Sequence, residues 1–68
     1  MVDCNELRRL RKYHELTLED MGKLIGVDAR TYSNKEKGTS QFKLNEMVII
    51  SNHFKKSIED IFLSKSFM

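Results

Sequence analysis

LTLEDMGKLIGVDARTYSNKEKG, residues 16–38, contains the start and stop signals of two short helices and the turn between them. In its second half Asp28 is placed to cap a helix N-terminus and Gly38 to take the left-handed position past its end. Lys35 and Lys37 suit the negative end of the helix dipole. A helix this short does not stand alone. Tyr32 is its one strong apolar anchor, so Ala29, Arg30, Thr31, Ser33 and Asn34 are left for something outside the fold. In the first half, Thr17-Leu18-Glu19-Asp20 reads as a capping box with aspartate in the place of glutamate. Leu18, Met21, Leu24 and Ile25 then form an apolar stripe that Gly26 ends.

Gly22 falls in the middle of that helix, where glycine costs about 1 kcal/mol relative to alanine. Close approach of the next helix is the expected compensation. With Gly26 making the sharp turn and Val27 sealing it, the pair predicts a helix-turn-helix arrangement.

Outward from this centre, Leu7, Leu10, Arg11 and His14 share one helical face, which predicts a first helix from about Asp3 to about Tyr13, with Leu16 turning the chain inward. After the loop Thr39-Ser40-Gln41-Phe42, the residues Leu44, Met47, Ile50 and Phe54 predict a fourth helix from about Lys43 to about Phe54, ended by Lys55-Lys56. Ser57 caps a short fifth helix, Ile58-Glu59-Asp60-Ile61-Phe62-Leu63. Its apolar residues, joined by Phe67 and Met68, exceed what so short a helix needs for its own packing, which points to a second chain. The expected architecture is all-α: one compact five-helix domain over residues 1–68, with 64–68 a short tail.

Composition agrees with that reading and removes other function classes. Sixty-eight residues make one domain with one small core, short of the room most enzymes need for a walled pocket. Proline is absent, and no alternating run is long enough to build a sheet. The single cysteine, Cys4, excludes an internal disulfide and fits a reducing cytosol, so a cytoplasmic location is expected. Met47-Val48-Ile49-Ile50 is the longest apolar run, far below the ~20 residues that span a bilayer, so no membrane partner is expected. His14 and His53 have no cysteine or histidine at ligand spacing, no nucleophile stands in a triad or elbow pattern, and no glycine-rich phosphate loop is present. Catalytic residues, a metal site, a cofactor and a small-molecule ligand are therefore all unexpected. The net charge of +2 is mild. Its distribution says more, because Arg30, Lys35, Lys37 and Lys43 are opposed by Glu36 alone and make a local basic face.

These residues resemble the Cro/C1-type, or XRE-type, helix-turn-helix regulators of phages and bacteria. The likeness is carried by Leu7 and Leu10-Arg11, by LTLEDMGKLIGV at 16–27, by TYSNKEKG at 31–38, and by Leu44, Met47, Ile50, Phe54 and SIEDIF at 57–62. It implies a lambda-repressor-like fold whose third helix, about residues 29–36, lies in the major groove of a double-stranded DNA operator. By position, Ala29, Arg30, Thr31 and Asn34 become the base-reading candidates: Arg30 for guanine, Asn34 for adenine, and Ala29 or the Thr31 methyl for a thymine methyl. Thr17, Lys37, Thr39, Ser40 and Lys43 fall where the family grips phosphate. Arg11 and Glu36 are expected to pair between the first and third helices, while Arg8, Arg9 and Lys12 are expected on a solvated face. Leu18 stands where the family commonly has a phosphate-bonding glutamine. Lys35 takes a usually apolar position, with its stem expected over the core and its ammonium reaching solvent or phosphate. Gln41-Phe42 replaces a frequent proline, and Phe42 is expected to plug the core.

One short helix reads too few base pairs for useful specificity, so a homodimer joined through Phe62, Leu63, Phe67 and Met68 is expected. The alternative is a protein-interaction module, such as an antirepressor that holds another regulator through the same fold.

Overall fold

The computed structural model describes residues 5–62, which form five helices: α1 (Asn5–Tyr13), α2 (Leu18–Ile25), α3 (Ala29–Lys37), α4 (Leu44–Phe54) and α5 (Ile58–Phe62). No strand occurs among the described residues. The expected helix start at Asp3, Cys4, the end of the fifth helix at Leu63, and the 64–68 tail with Phe67 and Met68 lie outside them.

Each of the two central helices starts and stops on side-chain chemistry. The Thr17 hydroxyl accepts the Asp20 N–H at 3.0 Å and the Asp20 carboxylate accepts the Thr17 N–H at 3.0 Å, a complete capping box for α2. Asp28 caps α3 by accepting the Thr31 N–H at 2.7 Å. Gly26 and Gly38 close the two helices in the left-handed region, at φ 83° and 92°. Between them the chain passes Gly22 so closely that a Cβ there would lie 2.5 Å from the Val27 carbonyl oxygen. The neighbour is backbone and has no rotamer with which to retreat. The absent side chain at position 22 is thus what lets α3 start where it does.

The core is assembled from every element: Leu7 and Leu10 of α1, Met21 of α2, Tyr32 of α3, Phe42 of the connecting loop, Ile50 of α4 and Ile61 of α5. Phe42 stands in for a helix at this point. Its ring meets Tyr32 at 6.0 Å and Phe62 at 5.1 Å between centroids, both edge-to-face. α5 packs on α1 and α4.

One reading of the sequence changes. Helical spacing puts Leu44 in the apolar stripe of α4, but it is 70% exposed, and Glu46 is buried in its stead. The cause is helical geometry: a step of three residues turns the helix about 60° short of a full revolution, so two such steps carry Leu44 about 120° away from Ile50. Glu46, four residues before Ile50, stays on the inner face. The fourth helix ends at Phe54 with Lys55 beyond it, as expected. Glu15 and Lys55 both take φ 57° without being glycine, Lys55 as the C-cap of α4 with its N–H on the carbonyls of Ser51 and Asn52.

Candidate nucleic-acid interface

Tyr32, Lys35 and Glu36 face inward from α3, which leaves Arg30 and Asn34, four residues apart, on the opposite side with Lys37. Arg30, Thr31 and Lys37 are exposed; Ala29, Ser33 and Asn34 are half-buried. Asp28 ties the first turn together. Its carboxyl is held below the usual carboxylate value first by the Thr31 side chain, then by the Thr31 backbone N–H, with the Arg30 charge adding to them. Thr31 thus serves the cap through its backbone N–H at 2.7 Å while its side chain stays exposed.

The inner face of α3 is fixed to α1 by charge. Arg11 donates Nε to one oxygen of Glu36 at 2.9 Å and Nη2 to the other at 3.1 Å, a bidentate fork. Tyr32 donates its hydroxyl to the same carboxylate at 2.8 Å, and Arg11 Nη1 also holds the Leu16 carbonyl. The bonds to Glu36 raise the Arg11 pKa further above its ordinary value, against the opposing effect of burial. Arg8 departs from its expected solvated place, with Nε 3.6 Å from Glu36. The signal was in the spacing: Arg8 and Arg11 are three apart on one helix and approach the same acid.

The loop after α3 carries the other polar candidates. Thr39, Ser40 and Lys43 are exposed. The N–H groups of Thr39 and Ser40 are both spent on the Asn34 carbonyl, at 2.9 and 3.2 Å. Only their hydroxyls remain for an outside oxygen. Thr17 is exposed as well, but its N–H and hydroxyl both serve the cap with Asp20, whose carboxyl they hold below its ordinary value.

Lys35 corrects the expectation made for it. Its ammonium reaches neither solvent nor a surface phosphate position, lying buried 3.0 Å from the equally buried Glu46 and donating to the Gln41 carbonyl at 3.1 Å. Glu46 also accepts the Lys43 N–H at 2.9 Å. A lysine side chain accepts nothing, so α4 has only the half of a capping box that Glu46 supplies. Burial pushes the Glu46 carboxyl up, but the Lys43 N–H and the Lys35 ammonium together outweigh it and leave the pKa below its ordinary value. Sequence reasoning missed this pair, although a lysine at an apolar position and an acid at the third residue of a helix were each visible.

Phe62 is half-buried, with its ring against Phe42; Leu63, Phe67 and Met68 lie outside the described residues. No group of three or more candidate metal ligands occurs among the described residues, and no described helix is long and apolar enough to cross a membrane.

Two capped helices meeting at a glycine contact, with a polar helix face turned outward and a polar loop ending in Lys43 beside it, define a helix-turn-helix domain. The helix-turn-helix family model matches residues 7–61, and the chain belongs to that family, in its Cro/C1 form. Among its relatives is an HTH-type transcriptional regulator of Methanocaldococcus jannaschii, 39% identical over 87% of this chain and 89% of the relative. Another, of Bacillus subtilis strain 168, is 33% identical over 85% of this chain; the chain spans about half of that protein, 52% of its length. In fold it is similar to the crystal structure of a transcriptional regulator from Listeria innocua, with a TM-score of 0.84 at 22% identity, covering 96% of this chain and 61% of that one.

Proposed function

We propose that this chain is a sequence-specific, double-stranded-DNA-binding transcriptional regulator that inserts α3 into the major groove. The observation that carries this reading is the division of α3 into two faces. Tyr32 and Glu36 are consumed inside the domain, while Arg30 and Asn34 stand outward with no hydrogen bond to another described side chain. An α-helix with its side chains is about 10–12 Å across, which the ~12 Å major groove of B-DNA accepts. The relatives named as transcriptional regulators support the same class.

In this reading Arg30 reads guanine through its fork, Asn34 reads adenine, and Ala29 and the Thr31 methyl pack on thymine. Lys37, Thr39, Ser40 and Lys43 grip phosphate and set the register; Thr17 contributes by donating its hydroxyl to the DNA backbone while its oxygen goes on accepting the Asp20 N–H. A symmetric homodimer, joined through Phe62, Leu63, Phe67 and Met68, places two copies of α3 on half-sites one DNA turn apart, about 34 Å.

Selection of bound duplexes from a random pool tests the reading. Enrichment of a palindrome with half-sites spaced by one turn is expected, and a pool that stays random contradicts it. Because Phe62 also packs on Phe42, the dimer is tested by deleting residues 64–68. Sedimentation should show the dimer weakened and affinity for the palindrome lowered. A deletion that leaves both unchanged removes the tail from the interface.

A further inference from the structure

We infer that the buried Lys35–Glu46 pair is a positioning device for the phosphate-gripping loop. The inference rests on the DNA-binding reading and adds to it two residues that never touch DNA. The loop from Gly38 to Lys43 carries Thr39, Ser40 and Lys43, and it is tied down at both ends and in the middle. Thr39 and Ser40 donate to the Asn34 carbonyl at the end of α3. Beyond them, Lys35 Nζ takes the Gln41 carbonyl at 3.1 Å and Glu46 takes the Lys43 N–H at 2.9 Å. The two side chains are themselves joined at 3.0 Å, with the Lys35 ammonium 5.9 Å from the centre of the Phe42 ring. One ion pair thus links the last turn of α3, the middle of the loop and the first turn of α4.

Stability does not account for this choice of residues. Two buried charges lose their hydration, and a well-packed apolar pair of similar volume commonly serves the fold as well or better. An apolar pair has no donor for the Gln41 carbonyl and no acceptor for the Lys43 N–H. What the ions add is direction: they fix where residues 41 and 43 sit, and with them the hydroxyls and ammonium that face the DNA backbone. A grip assembled before binding loses less ordering entropy when it closes on phosphate. Phosphate contacts carry no sequence information, so loosening this loop must weaken all duplexes alike.

The double variant Lys35→Met with Glu46→Gln separates position from packing. The methionine keeps the stem over Phe42, the glutamine oxygen still accepts the Lys43 N–H, and no charge is stranded. Two measurements on the full chain are read together. Amide exchange should quicken at Thr39, Ser40 and Lys43 while Tyr32 and Ile50 keep their protection. Affinity at about 0.1 M salt should drop roughly eightfold for each phosphate no longer gripped, on the selected palindrome and on random DNA equally, with the salt slope shallower by about one unit for each such phosphate. Unchanged loop exchange overturns the inference, as does unchanged affinity in a folded variant. A loss confined to the palindrome overturns it too, because the pair would then act on base reading. If the wild-type chain itself binds no duplex, the DNA-binding reading falls first and this role falls with it; a binding wild type and an equally binding variant overturn the role alone. Should the double variant not fold, Lys35→Leu with Glu46→Gln, which likewise strands no charge and leaves the Gln41 carbonyl without its donor, is read against the same outcomes.

Discussion

Glu36 receives the Arg11 fork and the Tyr32 hydroxyl on a single carboxylate that is 3% exposed, with Arg8 close behind. Removing that acid leaves the Arg11 guanidinium facing α3 without the carboxylate that its fork holds. Glu36→Ala is therefore expected to cost about 3–5 kcal/mol, a large share of the stability of so small a domain. Thermal melting checks it, and a variant that melts with the wild type shows the pair to be dispensable. At this scale the sequence was informative wherever a residue's role follows from its neighbours along the chain. Asp28, Thr17, Gly26 and Gly38 declare themselves by cap position. Lys35 and Glu46 did not, because the reason for each is the other, eleven residues away across a loop, and single-residue propensity assigns a lysine to solvent.

The α2–α3 unit depends on the absence of a side chain at position 22. An alanine there would gain about 1 kcal/mol in helix propensity. It would also place Cβ 2.5 Å from the Val27 carbonyl oxygen, and overpacking of that kind costs about 1–3 kcal/mol, with a rigid backbone neighbour favouring the upper end. Gly22→Ala should consequently lower the melting temperature although it improves the helix former; a rise would show that the turn moves aside without strain. The mid-helix glycine made this close approach legible beforehand, since an unfavourable local residue implies a compensation elsewhere. The inner face of α4 was not legible in the same way. Leu44, Met47 and Ile50 look like one stripe when spacings of three are read singly, and only their accumulated rotation shows that Leu44 leaves the core.

For the whole molecule, acid should be the sensitive direction. Asp20, Asp28 and Glu46 all have folded-state pKa values below their ordinary 3.8, 3.8 and 4.5, so the unfolded chain binds more protons as those groups titrate. Their contribution is complete above the unfolded values and is lost as pH falls through the depressed folded ones. The melting temperature should stay level down to about pH 5 and decline below it. Asp28→Asn keeps a capping oxygen without the titration, so its decline should be shallower; an identical acid limb would show that the cap does not couple to pH. The central claim, that α3 reads bases while the loop behind it grips phosphate, is tested by titrating Arg30→Ala and Lys43→Ala against the selected palindrome and a random duplex across a range of salt. Arg30→Ala is expected to lose about 1–3 kcal/mol on the palindrome only and to relax the choice at one base pair. Lys43→Ala is expected to weaken both duplexes alike and to make the salt slope shallower by about one unit. Equal losses on both duplexes for Arg30→Ala would make that residue a phosphate anchor, and folded variants that bind every duplex as the wild type does would contradict the assignment of α3 as a DNA reader.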